Sequence, residues 1–333
     1  MAKQVKIGLI GCGGIMHWHV GNYREIKQAR IAALCDTSRT MLQKMVEKHP
    51  ELAELPKYKD YRRMISEVEL DGVVIATPHT LHCEQILTCL DKGLHVLTEK
   101  PMVCSVADAK KVMKKAEQKR RVMMISYQRH FDPAFRLARK LMAEGKLGRL
   151  TFVTALQGQE WLRGTKGTWR QKAALSGGGQ LNDSGSHLVD IILWVTGLVP
   201  ESVFARIDNR GTEVDILSAL TMRFKGGAIG TLSIVGDAPG WWEEITFYGE
   251  EGALYIRNGK LLHCIRKKQG WGADTTDITG KLKYAGNFDR NFVDSILGKD
   301  EPQTPPVCGL RVMQLTEAAW ESGKTGQVVK VKT

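Results

Sequence analysis

The sequence predicts an α/β chain of two domains: a doubly wound parallel sheet, then a second, α/β domain with an open, mostly antiparallel sheet. Three observations carry this. Short β-rich apolar runs alternate with helical patterns over the first third, the mark of βαβ units. From Ser202 the pattern changes to β-rich runs separated by glycines, the turn spacing of an antiparallel sheet. The length of 333 residues suits two domains at roughly 100–200 residues each.

In the first part, strands are expected at 5–10, 31–35, 72–76, 95–98 and 122–126. They read as nearly continuous apolar runs because helices cover both faces of such a sheet. Helical patterns fall between them at 15–27, 39–48, 61–67, 81–92 and 106–119. The opening Met1-Ala2-Lys3-Gln4-Val5-Lys6 begins with charge, but its apolar stretch is short and ends in glycines without a small-residue cleavage site. It reads as the approach to a first strand and not as an export signal. The rhythm changes after Gln128, so residues 1–127 are assigned to the first domain and 128–333 to the second. There a helix is expected at 133–144, a strand at 150–156 and a helix at 181–196. Strands follow at 202–207, 216–224, 227–235, 244–248, 253–257 and 260–266, and helices at 287–297 and 309–322 flank a proline-bearing loop at 302–306.

Composition excludes several classes. A 43% hydrophobic share with 25% charged residues is that of an ordinary globular protein. No apolar run approaches the roughly 18–20 residues needed to span a bilayer, so no membrane partner is expected. Forty-eight Lys and Arg against 36 Asp and Glu give a formal charge of +12, which raises the question of an anionic partner. The densest basic run, 110–121, has helical spacing and no stacking aromatics, so it reads as a solvated helix face and nucleic acid is not expected. Seven scattered cysteines without a Cys-x-x-Cys pair suit the reduced thiols of a cytoplasm.

Directly after the first strand stands Gly11-Cys12-Gly13-Gly14-Ile15-Met16, opening a helix. Glycines there allow a tight turn and a close backbone approach to a pyrophosphate, whose charge the helix N-terminus stabilises. Met16 departs from the usual third Gly or Ala. Asp36 closes the second strand at the distance where a carboxylate accepts both ribose hydroxyls, which favours NAD. Arg39, three residues on, keeps NADP as the alternative. Thr77 and Pro78, ending the strand at 72–76, line the same cleft. His79 and His82 lie just beyond; with no further ligand nearby they are read as helix-start residues, His82 at the cofactor's edge, and no metal is expected.

Two segments bear on chemistry. Glu99-Lys100-Pro101 follows the strand at 95–98 and puts a lysine where a nicotinamide would lie, Glu99 being structural or at the cofactor's edge. Gly177-Gly178-Gly179-Gln180-Leu181-Asn182-Asp183-Ser184-Gly185-Ser186-His187 is a glycine-rich approach to a helix, with Asp183 and His187 four apart and so on one helix face. In this order and spacing the motifs resemble the Gfo/Idh/MocA family, named for glucose-fructose oxidoreductase, inositol dehydrogenase and a rhizopine-catabolism protein. The resemblance covers nearly the whole chain, including Arg129-His130-Phe131-Asp132-Pro133-Ala134. It implies a Rossmann domain, a second domain whose open sheet often forms the contact of a homo-oligomer (dimer or tetramer), and a cis Lys100–Pro101 peptide.

Oxidising a secondary alcohol with a nicotinamide moves a hydride from carbon while a side chain takes the proton from oxygen. Histidine, with an ordinary pKa near 6.5, suits that task. His187 is therefore assigned as general base, Lys100 as the cation on the reacting oxygen, and Asp183 as the carboxylate for a second hydroxyl or for ordering the site. The family pattern implies the same roles. The stretch Gln159–Arg170, with Trp161, Arg163, Trp169 and Arg170, mixes indoles with cations as a sugar-binding loop does. Tyr127, Gln128 and His130 are further substrate candidates. The expected function is an NAD(P)-dependent dehydrogenase of a sugar, glycoside or cyclic polyol. Two alternatives stand: an enzyme that oxidises a ring hydroxyl transiently with tightly held NAD to eliminate a glycosidic bond, and a non-catalytic NAD(P)-binding regulator.

Overall fold

The computed structural model describes residues 4–281 and 286–332. Met1 to Lys3, read as the approach to the first strand, lie outside them. The chain divides into two compact units, Met1–Gln128 with Gly286–Leu310, and Arg129–Ala285 with Arg311–Thr333.

In the first unit β1 (Val5–Ile10) leads to α1 (Met16–Arg24), β2 (Ala29–Cys35), α2 (Arg39–Lys48), β3 (Lys57–Tyr58), α3 (Tyr61–Glu67), β4 (Gly72–Ile75), α4 (His82–Asp91), β5 (His95–Thr98), α5 (Val106–Lys119) and β6 (Met123–Ile125). The sheet order is β3-β2-β1-β4-β5-β6, and every pair is parallel. Order reverses between β1 and β4, the switch point at which such sheets open a cleft beyond their carboxyl ends. Ile7, Leu9, Val73, Val74, Ile75, Val96 and Leu97 are wholly buried, because both sheet faces are covered. Ser38, Asp60 and Ser105 cap α2, α3 and α5 by accepting a first-turn N–H, which satisfies donors the helix itself cannot. The basic run lies on α5: Lys111 pairs with Asp108, and Lys115 and Lys119 with Asp91 of α4.

The second unit opens with α6 (Pro133–Ala143), capped by Asp132 with proline in its first turn, an arrangement that wastes no N–H. Then come β7 (Leu150–Gly158), the short helices α7 (Trp161–Gly164) and α8 (Ala173–Ser176), and α9 (Gly185–Thr196). Strands β8 (Pro200–Asp208), β9 (Leu217–Phe224), β10 (Ile229–Val235), β11 (Trp242–Gly249), β12 (Gly252–Arg257), β13 (Lys260–Arg266) and β14 (Ala273–Asp277) follow. The sheet runs β14-β13-β12-β11-β7-β10-β9-β8 and ends on a short terminal strand at 329–330. It is mixed: β7 and β10 pair in parallel, and the remaining pairs are antiparallel. In β9, buried and exposed residues alternate, as in a sheet with one packed face.

One expectation changes. The helix at 287–297, read as part of a second domain running unbroken from 128, is α10 (Phe288–Ile296) and belongs with the first unit. Its buried Phe292 reaches within 3.3 Å of where a Cβ on Gly72 would stand, and the Thr304 carbonyl accepts the Ile125 N–H at the edge strand β6 at 3.0 Å. A fully apolar helix face must be covered somewhere, and sequence order does not say where. The last helix, α11 (Pro306–Thr325), starts at the proline expected to end a loop; β15 (Val329–Lys330) closes the chain. Among the described residues no helix is long and apolar enough to cross a membrane.

Candidate active site

The first unit supplies the dinucleotide side. Gly11 has φ +89°, and a Cβ there would lie 2.4 Å from the Ala76 carbonyl oxygen, so only glycine lets β1 turn against the end of β4. A Cβ on Gly13 or Gly14 would meet nothing within 4 Å, so open space lies beside their backbone, as the close approach of a pyrophosphate would require. Ile15 stands at the start of α1 with no side-chain cap, the Met16 and Trp18 N–H groups donate to the carbonyls of Gly13 and Ile15, and the positive end of the helix dipole lies at this turn. Met16 is fully buried, so its flexible thioether fills the helix–strand contact that the usual small residue would make.

Asp36 is fixed by two N–H donors, Cys12 on Oδ2 and Ser38 on Oδ1, each at 2.7 Å. Burial and this carboxylate push the Cys12 thiol up to about 12. Arg39 is exposed at the start of α2. Thr77 donates its hydroxyl to Gln85 Oε1 at 2.6 Å, and Pro78 precedes the turn into α4. His82 is fully buried; its Nε2 lies 2.9 Å from the Thr77 carbonyl and its Nδ1 2.8 Å from that of Pro101. Burial keeps its pKa below the ordinary value, and in its neutral form the ring donates to only one of the two carbonyls. Lys100, half-buried at the carboxyl end of β5, precedes Pro101 through a cis peptide. Glu99 is buried, with Oε2 accepting the Lys100 N–H at 3.2 Å. Tyr127 is wholly buried and Gln128 half-buried just after β6. Glycines, Asp36 and a positive helix end therefore form a set that fits an NAD pyrophosphate and ribose.

The second unit supplies the candidate acid–base side. The helix carrying His187 begins at Gly185, not at 181: the Gly185 N–H reaches back five residues to Gln180 while Asp183 bonds to Gly179, and that break in register leaves Asp183 in the turn before the helix. Ser184 occupies the N-cap position without a side-chain cap bond, one residue after Asp183. Asp183 Oδ2 accepts from Trp161 Nε1 at 2.9 Å and Arg170 Nε at 3.1 Å. Trp161 is buried against Val214 and Ile216, with its N–H aimed at Asp183. Trp169 carries the Arg170 guanidinium over its ring at 4.6 Å. Arg163 is exposed and pairs with Glu160 at 3.6 Å. His130 is wholly buried, 2.7 Å from Asp190 of α9, and stacks near Trp194. Here Asp190 ties the segment before α6 to the His187 helix.

Asp215 escaped the sequence reading. Its carboxylate accepts the N–H groups of Gly179 and Leu181 at 2.9 and 2.7 Å and the Trp320 indole N–H at 3.0 Å. Burial raises its pKa against those bonds. A Cβ on Gly179 would fall 1.9 Å from the Asp215 carbonyl oxygen, so the triple-glycine turn is pressed onto this residue. A lone Asp beside Val214 and Ile216 offers no sequence signal of that kind.

Residues 5–127 match the oxidoreductase family model described as an NAD-binding Rossmann fold, and residues 135–255 match the GFO/IDH/MocA C-terminal domain. The chain is 26% identical over 298 residues to levoglucosan dehydrogenase of Pseudarthrobacter phenanthrenivorans, covering 78% of this chain and 76% of that one. It is 22% identical over 356 residues to the scyllo-inositol 2-dehydrogenase (NADP(+)) IolW of Bacillus subtilis, covering 98% and 96%. In fold it is similar to the WlbA dehydrogenase of Bordetella pertussis, solved with NADH and UDP-GlcNAcA, at TM-score 0.87 and 23% identity over 99% of this chain and 98% of that one. With both of its domains matched, the chain belongs to the Gfo/Idh/MocA family of oxidoreductases and carries an NAD-binding Rossmann domain.

Proposed function

We propose that the protein is a dehydrogenase of a sugar, glycoside or cyclic polyol working with NAD, with His187 as general base, Lys100 on the reacting oxygen and Asp183 binding a second hydroxyl. Asp183 carries the reading. It is a buried carboxylate in the turn before α9, accepts from Trp161 and Arg170, and stands four residues before a histidine. Such an acceptor suits a polyhydroxylated ring. Relatives named for levoglucosan and for inositol support the same substrate class.

NAD supplies the hydride acceptor. As the secondary carbinol carbon gives up its hydride, the His187 imidazole takes the hydroxyl proton and the Lys100 ammonium hydrogen-bonds the oxygen on which charge develops; the product is a ketone. Trp161 and Arg170 keep Asp183 aimed without taking part in proton movement. Asp36, with both oxygens already oriented by N–H donors, favours ribose hydroxyls over a 2′-phosphate, so NAD is preferred to NADP.

A carbohydrate and glycoside panel that follows both NADH and cleaved product tests this. NADH accumulating with a sugar or polyol supports it; aglycone released without NADH turns the reading to elimination with recycled NAD; neither, across a broad panel, overturns it. The proposal includes a cytoplasmic dimer or tetramer formed through the sheet of the second unit, which light scattering of the purified chain checks.

A further inference from the structure

Under the Glu99-Lys100-Pro101 turn of the first unit lies a cluster of buried ionisable groups that take no part in the chemistry above. His19, on α1, is fully buried. Its Nδ1 lies 2.7 Å from Asp289 Oδ1 and its Nε2 3.3 Å from Glu99 Oε1. Both ring nitrogens face carboxylates, and only the imidazolium donates to both. Burial opposes that charge, but Asp289 and Glu99 outweigh it and push His19 up to about 10. Burial likewise opposes charge on Glu99, which His19 and then Lys100 hold below the ordinary carboxylate range. The contacts run without a gap: Asn22 Nδ2 donates to Asp289 Oδ2 at 2.7 Å, Asp289 and Glu99 flank His19, and Glu99 Oε2 accepts the Lys100 N–H at 3.2 Å. At one imidazolium the phosphate-loop helix α1, the returning helix α10 and the end of β5 are joined.

We propose that His19 is a positioning residue for Lys100, acting through Glu99. The imidazolium fixes the carboxylate, and the carboxylate fixes the main chain from which the lysine projects. This rests on Lys100 being the cation on the reacting oxygen. Without His19, Glu99 is a buried carboxylate whose facing groups are Lys100, from its own turn, and His82 of α4, with Asp289 of α10 beyond the gap. It then takes up a proton at a higher pH than before.

The test compares His19→Gln, Asp289→Asn and Lys100→Ala with the parent chain on a sugar or polyol that the panel shows to be turned over, and adds a substrate-free readout, labelling of Lys100 by an amine reagent followed by peptide mass spectrometry. We expect His19→Gln to lower kcat by about 10–100-fold while KM for NAD changes by less than about threefold, and to raise the acid limb of the kcat profile by about one pH unit or more. Adding Glu99→Gln should abolish that shifted limb. Lys100 labelling should rise by about threefold or more, with Lys111 and Lys115 unchanged. Should His19→Gln not fold, Asp289→Asn is judged by the same criteria with smaller effects. Unchanged kcat, pH profile and labelling alongside an inactive Lys100→Ala overturn the proposal, as does a kcat loss without a pH shift that travels with lost NADH affinity. A fully active Lys100→Ala refutes the underlying role of the lysine itself.

Discussion

A Cβ added at Gly13 or Gly14 would meet nothing within 4 Å, whereas one at Gly179 would lie 1.9 Å from the Asp215 carbonyl oxygen. The first turn keeps space open for something the chain does not contain; the second removes space so that the chain can press upon itself. The same contrast extends to the side chains. In the first unit, Asp36 is held by N–H groups close by in the fold. In the second, Asp183 is held by Trp161 and Arg170, and the following helix by His130 through Asp190. Bare backbone suits the binding of a shared cofactor, while side chains locked by other side chains suit the proposed choice of one hydroxyl among several.

The sharpest way to break this contrast is at the proposed base. His187→Ala should lower kcat by roughly 10²–10⁴-fold with NADH binding preserved, measured by turnover and cofactor titration; equal turnover would remove the second unit from the chemistry. Next come the glycines. Gly179→Ala should cost about 2–4 kcal/mol of stability in a denaturant titration, since backbone and not a flexible side chain blocks the new methyl. Gly13→Ala should leave stability within about 0.5 kcal/mol yet weaken NADH binding by about tenfold, by filling the space beside the pyrophosphate. Trp161→Phe deletes one hydrogen bond to a carboxylate and should lower kcat/KM by about tenfold while the fold stays intact.

A further test concerns pH. Folded His19 holds its proton up to about 10, against an ordinary 6.5, so the folded state binds that proton more tightly than the unfolded one. The resulting stabilisation is complete below pH 6.5 and is lost as pH climbs toward 10. Thermal melts of the parent chain should fall more steeply across that window than those of His19→Gln.

What the sequence made legible was local. The glycine run, Asp36 at the end of β2 and Lys100 at the end of β5 are readable because strand ends and turn residues lie within a few positions of one another. Met16 could be seen as a departure but not as a buried filler. Long-range partners left no mark: Asp289 meets His19 from the far end of the chain, and Asp190 meets His130 across three intervening helices and a strand. An indole's direction is equally silent. Trp161 was expected to face a sugar ring, yet it is buried with its N–H on Asp183, a support for the carboxylate instead of a platform. The residues 286–310 escaped for the same reason, since an apolar helix carries no address.

That returning stretch also orders events during synthesis. Ribosomes release the chain from its N-terminus, so the six parallel strands are available early. Phe292, which packs over Gly72, and Thr304, which bonds to the edge strand β6, emerge only after all of Arg129–Ala285 has been made. The nucleotide-binding half is thus begun first and sealed late, and a fragment ending at Gln128 would present an unsealed apolar surface to any chaperone that meets it.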